Sequence, residues 1–223
     1  MFSETINIGS WDATGNIGDC DITGYFHDWY YKFNDSRTRI KYVVILKNDM
    51  RSHEDWELKA AADELRAALS QDFAEIVKEH GPLTVCGVPR AKAESSYAYR
   101  QTGLKRSIRK VVESMPELSD GLDYIVRVKN TCTTHRSRSG HGGDGEMPRP
   151  GLIRDTCRLS PEIRGKDILL VDDIYTPSVG IDEDALCTLI DCGARSVVFY
   201  AVGYTVRKGS REVGWNDFGN LPF

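Results

Sequence analysis

The chain contains no Cys-x-x-C pair, and its six cysteines, at positions 20, 86, 132, 157, 187 and 192, are scattered over 223 residues. That spacing suggests neither a zinc knuckle nor a disulfide framework, so reduced thiols are expected. Long apolar runs are also missing. The longest, residues 197–202, falls far short of the roughly 20 residues that span a bilayer. No basic stretch leading into an apolar core opens the chain, so neither a leader nor a membrane partner is expected, and the setting is read as cytoplasmic. With 40% hydrophobic and 28% charged residues, the composition is that of an ordinary globular protein, which excludes fibrous and wholly disordered classes. This length allows one well-buried domain with an accessory segment.

The chemistry concentrates in residues 166–188, KDILLVDDIYTPSVGIDEDALCT. Ile168 to Val171 and Ile174 surround Asp172 and Asp173, the pattern of a buried strand whose end carries two charges. A hydroxyl-rich loop follows, Tyr175, Thr176, Pro177, Ser178, Val179 and Gly180. Then comes a helix with apolar positions Ala185, Leu186, Leu189 and Ile190, closed by Gly193. A loop between a parallel strand and its following helix offers unpaired N–H groups at the positive end of the helix dipole, so it favours an anion such as phosphate. The acidic pair before it suits vicinal hydroxyls. A ligand with a phosphate close to ribose hydroxyls satisfies both halves.

These residues resemble the phosphoribosyl-pyrophosphate (PRPP) signature of type I phosphoribosyltransferases: apolar residues, two acids, then a phosphate loop. Gly165, Lys166 and the run Gly193, Ala194, Arg195, Ser196, Val197 are similar to the ComF-like, amidophosphoribosyltransferase-like branch. The resemblance covers residues 83–205. It departs where the family has Thr-Thr-Gly-any-Thr: Pro177 removes a backbone donor and Gly180 a hydroxyl. It also departs in lacking the N-terminal cysteine cluster that ComF-like proteins often carry for zinc.

Ahead of the signature, residues 6–11, 25–33 and 39–46 are strand-like in composition, so residues 1–50 are expected to form a small strand-rich accessory region. The resemblance makes this a hood over the acceptor base, where Phe26, Trp29 and Tyr30 would stack on an aromatic ligand; the alternative is that they pack the hood's own core. Ser52 and Asp55 read as a capping box opening a helix with Leu58, Ala62, Leu65, Leu69, Phe73 and Ile76 on its core face, ending at Gly81 and Pro82. A strand over 83–88 follows, then Pro89, Arg90, Ala91 and Lys92, a second anion loop. A helix opens at Ser95 or Ser96 and carries Tyr97, Leu104, Ile108, Val111 and Met115 inward.

Residues 88–138 hold 11 Lys/Arg against 5 Asp/Glu, in a chain of net charge −4. Such a field draws in a multiply charged nucleotide-like substrate or binds nucleic acid, and composition does not separate the two. After a strand over 123–129, residues 130–150 hold four glycines, two prolines, three arginines and one large apolar residue, Met147, which reads as a long loop. A last strand is expected from Ser196 to Gly203, and Trp215 and Phe218 in the tail over 206–223 would cover the acceptor pocket or make a homodimer contact.

The expected architecture is α/β: a parallel sheet flanked by helices, in one globular unit with the core over 51–205. The resemblance implies the type I phosphoribosyltransferase fold, with residues 130–150 as a flexible lid. It implies transfer of ribose 5-phosphate from Mg-PRPP to a nitrogen acceptor with release of pyrophosphate, an activity of nucleotide metabolism. Asp172 and Asp173 would hold the ribose hydroxyls, directly or through magnesium. Thr176, Ser178, Val179 and Gly180 would cradle the 5-phosphate, Arg90, Lys92 and the catalytic lid residues Arg136 and Arg138, with Thr134 and His135, would meet pyrophosphate, and Tyr175, Pro177 and Pro89 would belong to the same PRPP-binding loops. His135 and His141 are not expected to bind metal. The alternatives are a non-catalytic PRPP- or nucleotide-sensing protein, a nucleic-acid-associated accessory protein, or an effector acting on cellular nucleotides or a macromolecule.

Overall fold

A computed structural model describes residues 1–7, 21–49, 52–132, 145–177 and 179–206. Its centre is a six-stranded sheet in the order β1-β2-β8-β7-β3-β4. The strands are β1 (Phe2–Asn7), β2 (Asp21–Tyr30), β3 (Leu83–Gly87), β4 (Leu118–Asp120), β7 (Asp167–Tyr175) and β8 (Ser196–Thr205). All neighbours run parallel except β1 against β2. The coarse expectation of an α/β protein with a mostly parallel sheet between helices therefore holds.

The strand period of two divides the core. Val85, Leu169, Val171, Tyr200 and Val202 face a layer made by α1 (Lys41–Lys47), α2 (Asp55–His80) and α3 (Gly103–Ser114). Cys86, Ile168, Leu170, Phe199 and Ala201 face the other layer, α4 (Leu152–Thr156) and α5 (Ile181–Asp191). A sheet covered on both faces needs near-continuous apolar strands, which is why Ile168 to Val171 are all buried.

Four local expectations are corrected. Residues 39–46 are not a strand: α1 places Tyr42, Val43 and Leu46 on one buried face, and a short apolar run fits either period. The capping box of α2 is Glu54 and Glu57, with the Glu54 N–H donating to Glu57 Oε2 at 2.8 Å, rather than Ser52 and Asp55. Residues 94–96 and 99–101 form two separate 3-10 turns before α3 begins at Gly103. Finally, β4 rather than 123–129 is the sheet strand after α3. Residues Ile125–Arg127 (β5) pair antiparallel with Cys157–Leu159 (β6) in a small second sheet.

Near the chain's start, β1 and β2 extend the main sheet. Their aromatic side chains pack on one another: Phe26 stacks on Phe2 at 5.1 Å and meets Trp29 at 4.7 Å and Tyr204 at 5.0 Å. Trp11, the C-terminal Trp215 and Phe218, and residues 133–144 with Thr134, His135, Arg136, Arg138 and His141 lie outside the described residues. Among the described residues, no helix is long and apolar enough to cross a membrane.

Candidate functional site

Sheet order places the site. From β3 the chain passes through α3 to β4 on one side, and from β7 it passes through α5 to β8 on the other, so the connections diverge between β3 and β7. Divergence at neighbouring parallel strands leaves a crevice at their carboxyl ends, where α/β proteins bind ligands. A cleft lies there, with about 790 Å³ of space that includes its open mouth. Asp172 and Asp173 border it from β7. Pro89, Arg90 and Lys92 border it from the loop after β3, and Lys47, Lys105 and Arg127 add three further cations.

The two acids are adjacent on a strand and turn to opposite sides. Asp173 Oδ2 meets Lys47 Nζ, at the end of α1, at 2.5 Å, with only 9% and 21% of the two side chains exposed. Burial alone would lower the Lys47 pKa, but the charges of Asp173 and Asp172 outweigh it and hold the ammonium raised. Asp172 instead faces Asp182 of α5. Burial, then the charge of Asp173, pushes Asp172 up to about 7, and burial with the charge of Asp172 raises Asp182 well above the carboxylate range. The two carboxyls interact, and retaining a proton on the pair relieves the repulsion between two carboxylates.

The loop after β7 is engaged within the fold. Tyr175 is buried and its hydroxyl donates to Glu183 Oε1 at 2.8 Å. The Thr176 hydroxyl bonds that of Thr205 at 2.8 Å, and the Val179 N–H closes a turn on the Thr176 carbonyl. Gly180 enters α5 with φ +77°, a conformation that suits glycine. The first turn of α5 then carries three buried acids, Asp182, Glu183 and Asp184. Asp184 accepts the Gly151 and Ile153 N–H groups at 2.5 and 2.7 Å, so it caps α4. These carboxyls stand at the positive end of α5, where a ligand phosphate was expected. Tyr175, Thr176, Pro177, Val179 and Gly180 do not line the cleft; Ser178 lies outside the described residues.

The cationic wall is more selective than its composition. Arg90 donates to the Gln101 carbonyl at 2.7 Å and to Asp49 at 2.5 Å, and its guanidinium lies 3.9 Å above the Tyr97 ring. Lys105 pairs with Glu94 and with Asp123, Arg109 with Asp120 and Asp123, and Arg100 with Asp55. Among the described residues of the basic stretch, Arg90, Arg100, Lys105 and Arg109 are thus paired with acids.

No family model matches the chain, and no curated protein matches it significantly.

A divalent cation held by the protein alone does not fit the acidic pair: Asp173 carries the Lys47 ammonium, and Asp172 is held toward its neutral form. Among the described residues, no three His, Cys, Asp or Glu side chains converge as metal ligands. Sequence reasoning missed Lys47, Arg127 and Asp182. Only Arg127 carried a signal, a cation inside the apolar run Ile125, Val126, Val128. Lys47 lay beside residues read as a strand, and Asp182 looked like an ordinary acid of a helix's first turn.

Proposed function

We propose that this protein is a phosphoribosyltransferase-like protein that binds PRPP in the cleft between β3 and β7. It transfers ribose 5-phosphate to a nitrogen acceptor. The observation that carries the proposal is that Asp172 and Asp173 border the same cleft as Arg90 and Lys92, although these residues are joined only through the fold. That juxtaposition suits a ligand with hydroxyls at one end and phosphates at the other, and it is what the type I phosphoribosyltransferase fold would supply.

In the proposed reaction the bond from the ribose anomeric carbon to the pyrophosphate oxygen breaks, and a bond from that carbon to the acceptor nitrogen forms. Asp172 and Asp173 position the sugar hydroxyls. The cations of the opposite wall offset the charge that grows on pyrophosphate. Asp172, pushed up to about 7, can take in its ionised form the proton that the acceptor nitrogen loses. Magnesium would come with the ligand, whose phosphate oxygens are the hard donors it prefers.

A second reading, a PRPP- or nucleotide-sensing protein without turnover, is favoured by a specific observation. Lys47 already neutralises Asp173, and Asp182, Glu183 and Asp184 crowd the helix end where the 5-phosphate would sit. Calorimetry and thermal shift with PRPP, nucleoside monophosphates and pyrophosphate, each with and without magnesium, decide between them. A ligand at a hundredfold its dissociation constant adds about 2.7 kcal/mol to unfolding. No shift at millimolar PRPP removes the transfer reading, no shift with any of these ligands removes the sensor as well, and a PRPP shift without pyrophosphate release across a panel of amine and nucleobase acceptors leaves the sensor.

A further inference from the structure

Gly24, Gly87 and Gly203 lie within strands of the main sheet. A Cβ added at Gly24 would come within 2.7 Å of Ile6 Cδ1, and one at Gly203 within 2.5 Å of Ile40 Cδ1, so a neighbour already fills the space a side chain would need. Gly87 differs. Outside its chain neighbours, a Cβ there would find one described heavy atom within 4 Å, Leu122 Cδ2 at 3.7 Å, which is an ordinary contact. Its φ is not positive either, so neither packing nor backbone conformation requires glycine at 87. A glycine weakens the strand that holds it, and one use that offsets this is to let a ligand approach the backbone closely.

The open side of Gly87 belongs to the cleft. Gly87 pairs with Val171 of β7, and by the strand period both face the layer that contains α3, as Val85 does. Leu122 lies over Gly87, and Leu104 and Ile108 of α3 complete an apolar recess. Two residues beyond Val171, on the same face, Asp173 with its partner Lys47 marks the polar edge. Leu104, Ile108, Leu122 and Val171 have no side-chain atom that donates or accepts a hydrogen bond. PRPP is a ribose carrying phosphates, polar along its whole length, so it does not account for an apolar recess beside the acids.

We propose that this recess takes the hydrocarbon ring of the acceptor, and that the acceptor is an arylamine. The assignment as acceptor rests on the phosphoribosyltransferase-like reading, in which the polar donor leaves the recess to the second substrate. A nucleobase carries donors and acceptors around its ring, and burial against Leu104, Ile108 and Leu122 would leave them unpaired. A hydrocarbon ring buries apolar surface alone and can rest against the uncovered backbone of Gly87. Among the described residues bordering the cleft, cations outnumber acids, which disfavours an alkylammonium; an arylamine keeps its amino group uncharged at neutral pH. In transfer, the amine nitrogen forms the bond to the anomeric carbon, pyrophosphate leaves with the electron pair of the broken carbon–oxygen bond, and the amine proton passes to ionised Asp172. Gly87 sets specificity by leaving the space open.

The test titrates the full chain with 4-ethylaniline and with adenine, without PRPP, and follows the ¹³C methyl signals of Leu104 and Leu122. 4-Ethylaniline is expected to bind saturably and to shift both signals, and adenine to leave them in place. Gly87→Val fills the recess and is expected to weaken 4-ethylaniline binding by about tenfold or more, the discrimination an apolar pocket achieves over a single methylene group. Gly87→Ala is expected to weaken it less, and if the valine variant misfolds, the alanine variant and the wild-type signals carry the decision. Absence of saturable 4-ethylaniline binding, stationary methyl signals at saturation, unchanged affinity in the Gly87 variants, or tighter binding of adenine in the recess overturns the proposal. A separate titration with PRPP and magnesium distinguishes the two failures. PRPP binding without 4-ethylaniline binding leaves the transfer reading and removes the recess, whereas 4-ethylaniline binding without PRPP binding keeps the recess as an arylamine site and removes its role as the acceptor subsite.

Discussion

Lys47 Nζ lies 2.5 Å from Asp173 Oδ2, which ties the end of α1 to the end of β7 across the mouth of the cleft. Removing one member leaves a largely buried charge without its partner. Lys47→Met is therefore expected to cost about 3 kcal/mol of unfolding free energy, and Asp173→Asn a similar amount. The double variant should recover much of that loss, giving a coupling energy well above zero in a urea-denaturation cycle. Additive losses would mean that the pair is not formed in solution. The same cycle guards any binding experiment, because an Asn variant at 173 alone strands the ammonium.

Stability should fall as pH rises through neutrality. The folded protein holds Asp172 at about 7 and Asp182 above the ordinary carboxylate range near 3.8, so between those values it binds more protons than the unfolded chain. Unfolding free energy then decreases with pH over that window, and the full cost of ionising the pair is present above it. Urea midpoints measured from pH 5 to pH 8 should drop in the wild type. Asp172→Asn should flatten the profile; an unaltered slope would dissociate the effect from this pair.

Asp184 clasps α4. Its carboxylate accepts the N–H groups of both Gly151 and Ile153, and Asp184→Ala strands those donors inside the protein. Each bond to a charged acceptor contributes about 1.5–3 kcal/mol, so a loss of at least 2 to 3 kcal/mol is expected. Amide hydrogen exchange at Ile153 checks the location: protection there should collapse first, and undiminished protection would mean the clasp is not formed.

Asp72 on α2 is fully buried and accepts the Tyr200 hydroxyl at 2.7 Å and His27 Nδ1 at 2.8 Å. Tyr200→Phe removes one donor from a buried carboxylate. It is expected to cost about 1–3 kcal/mol without altering ligand binding, because neither Tyr200 nor Asp72 lines the cleft. Asp72→Ala should cost more, since it leaves the Tyr200 hydroxyl unpaired as well. Equal stability of Tyr200→Phe and wild type in urea would show that the bond contributes nothing.

The sequence by itself determined the elements whose period repeats over enough residues: the apolar strand Ile168 to Val171, the helix that follows it, and the long α2 with Leu65, Leu69, Phe73 and Ile76 buried on one face. It also located the acidic pair at a strand end and basic residues after β3, because a charge that terminates an apolar run leaves few alternatives. Short segments were not legible. Residues 39–46 fit a strand and a helix equally well, and residues 123–129 are apolar enough for the central sheet yet pair in the small one. Only the tertiary structure decided how the charges are spent. Lys47 reaches Asp173 and Asp182 meets Asp172 because α1 and α5 pack on opposite faces of the sheet, and Arg90 is committed to Asp49 by the same packing. Spacing along a chain carries no information on such pairings. They follow from which sheet face each helix covers.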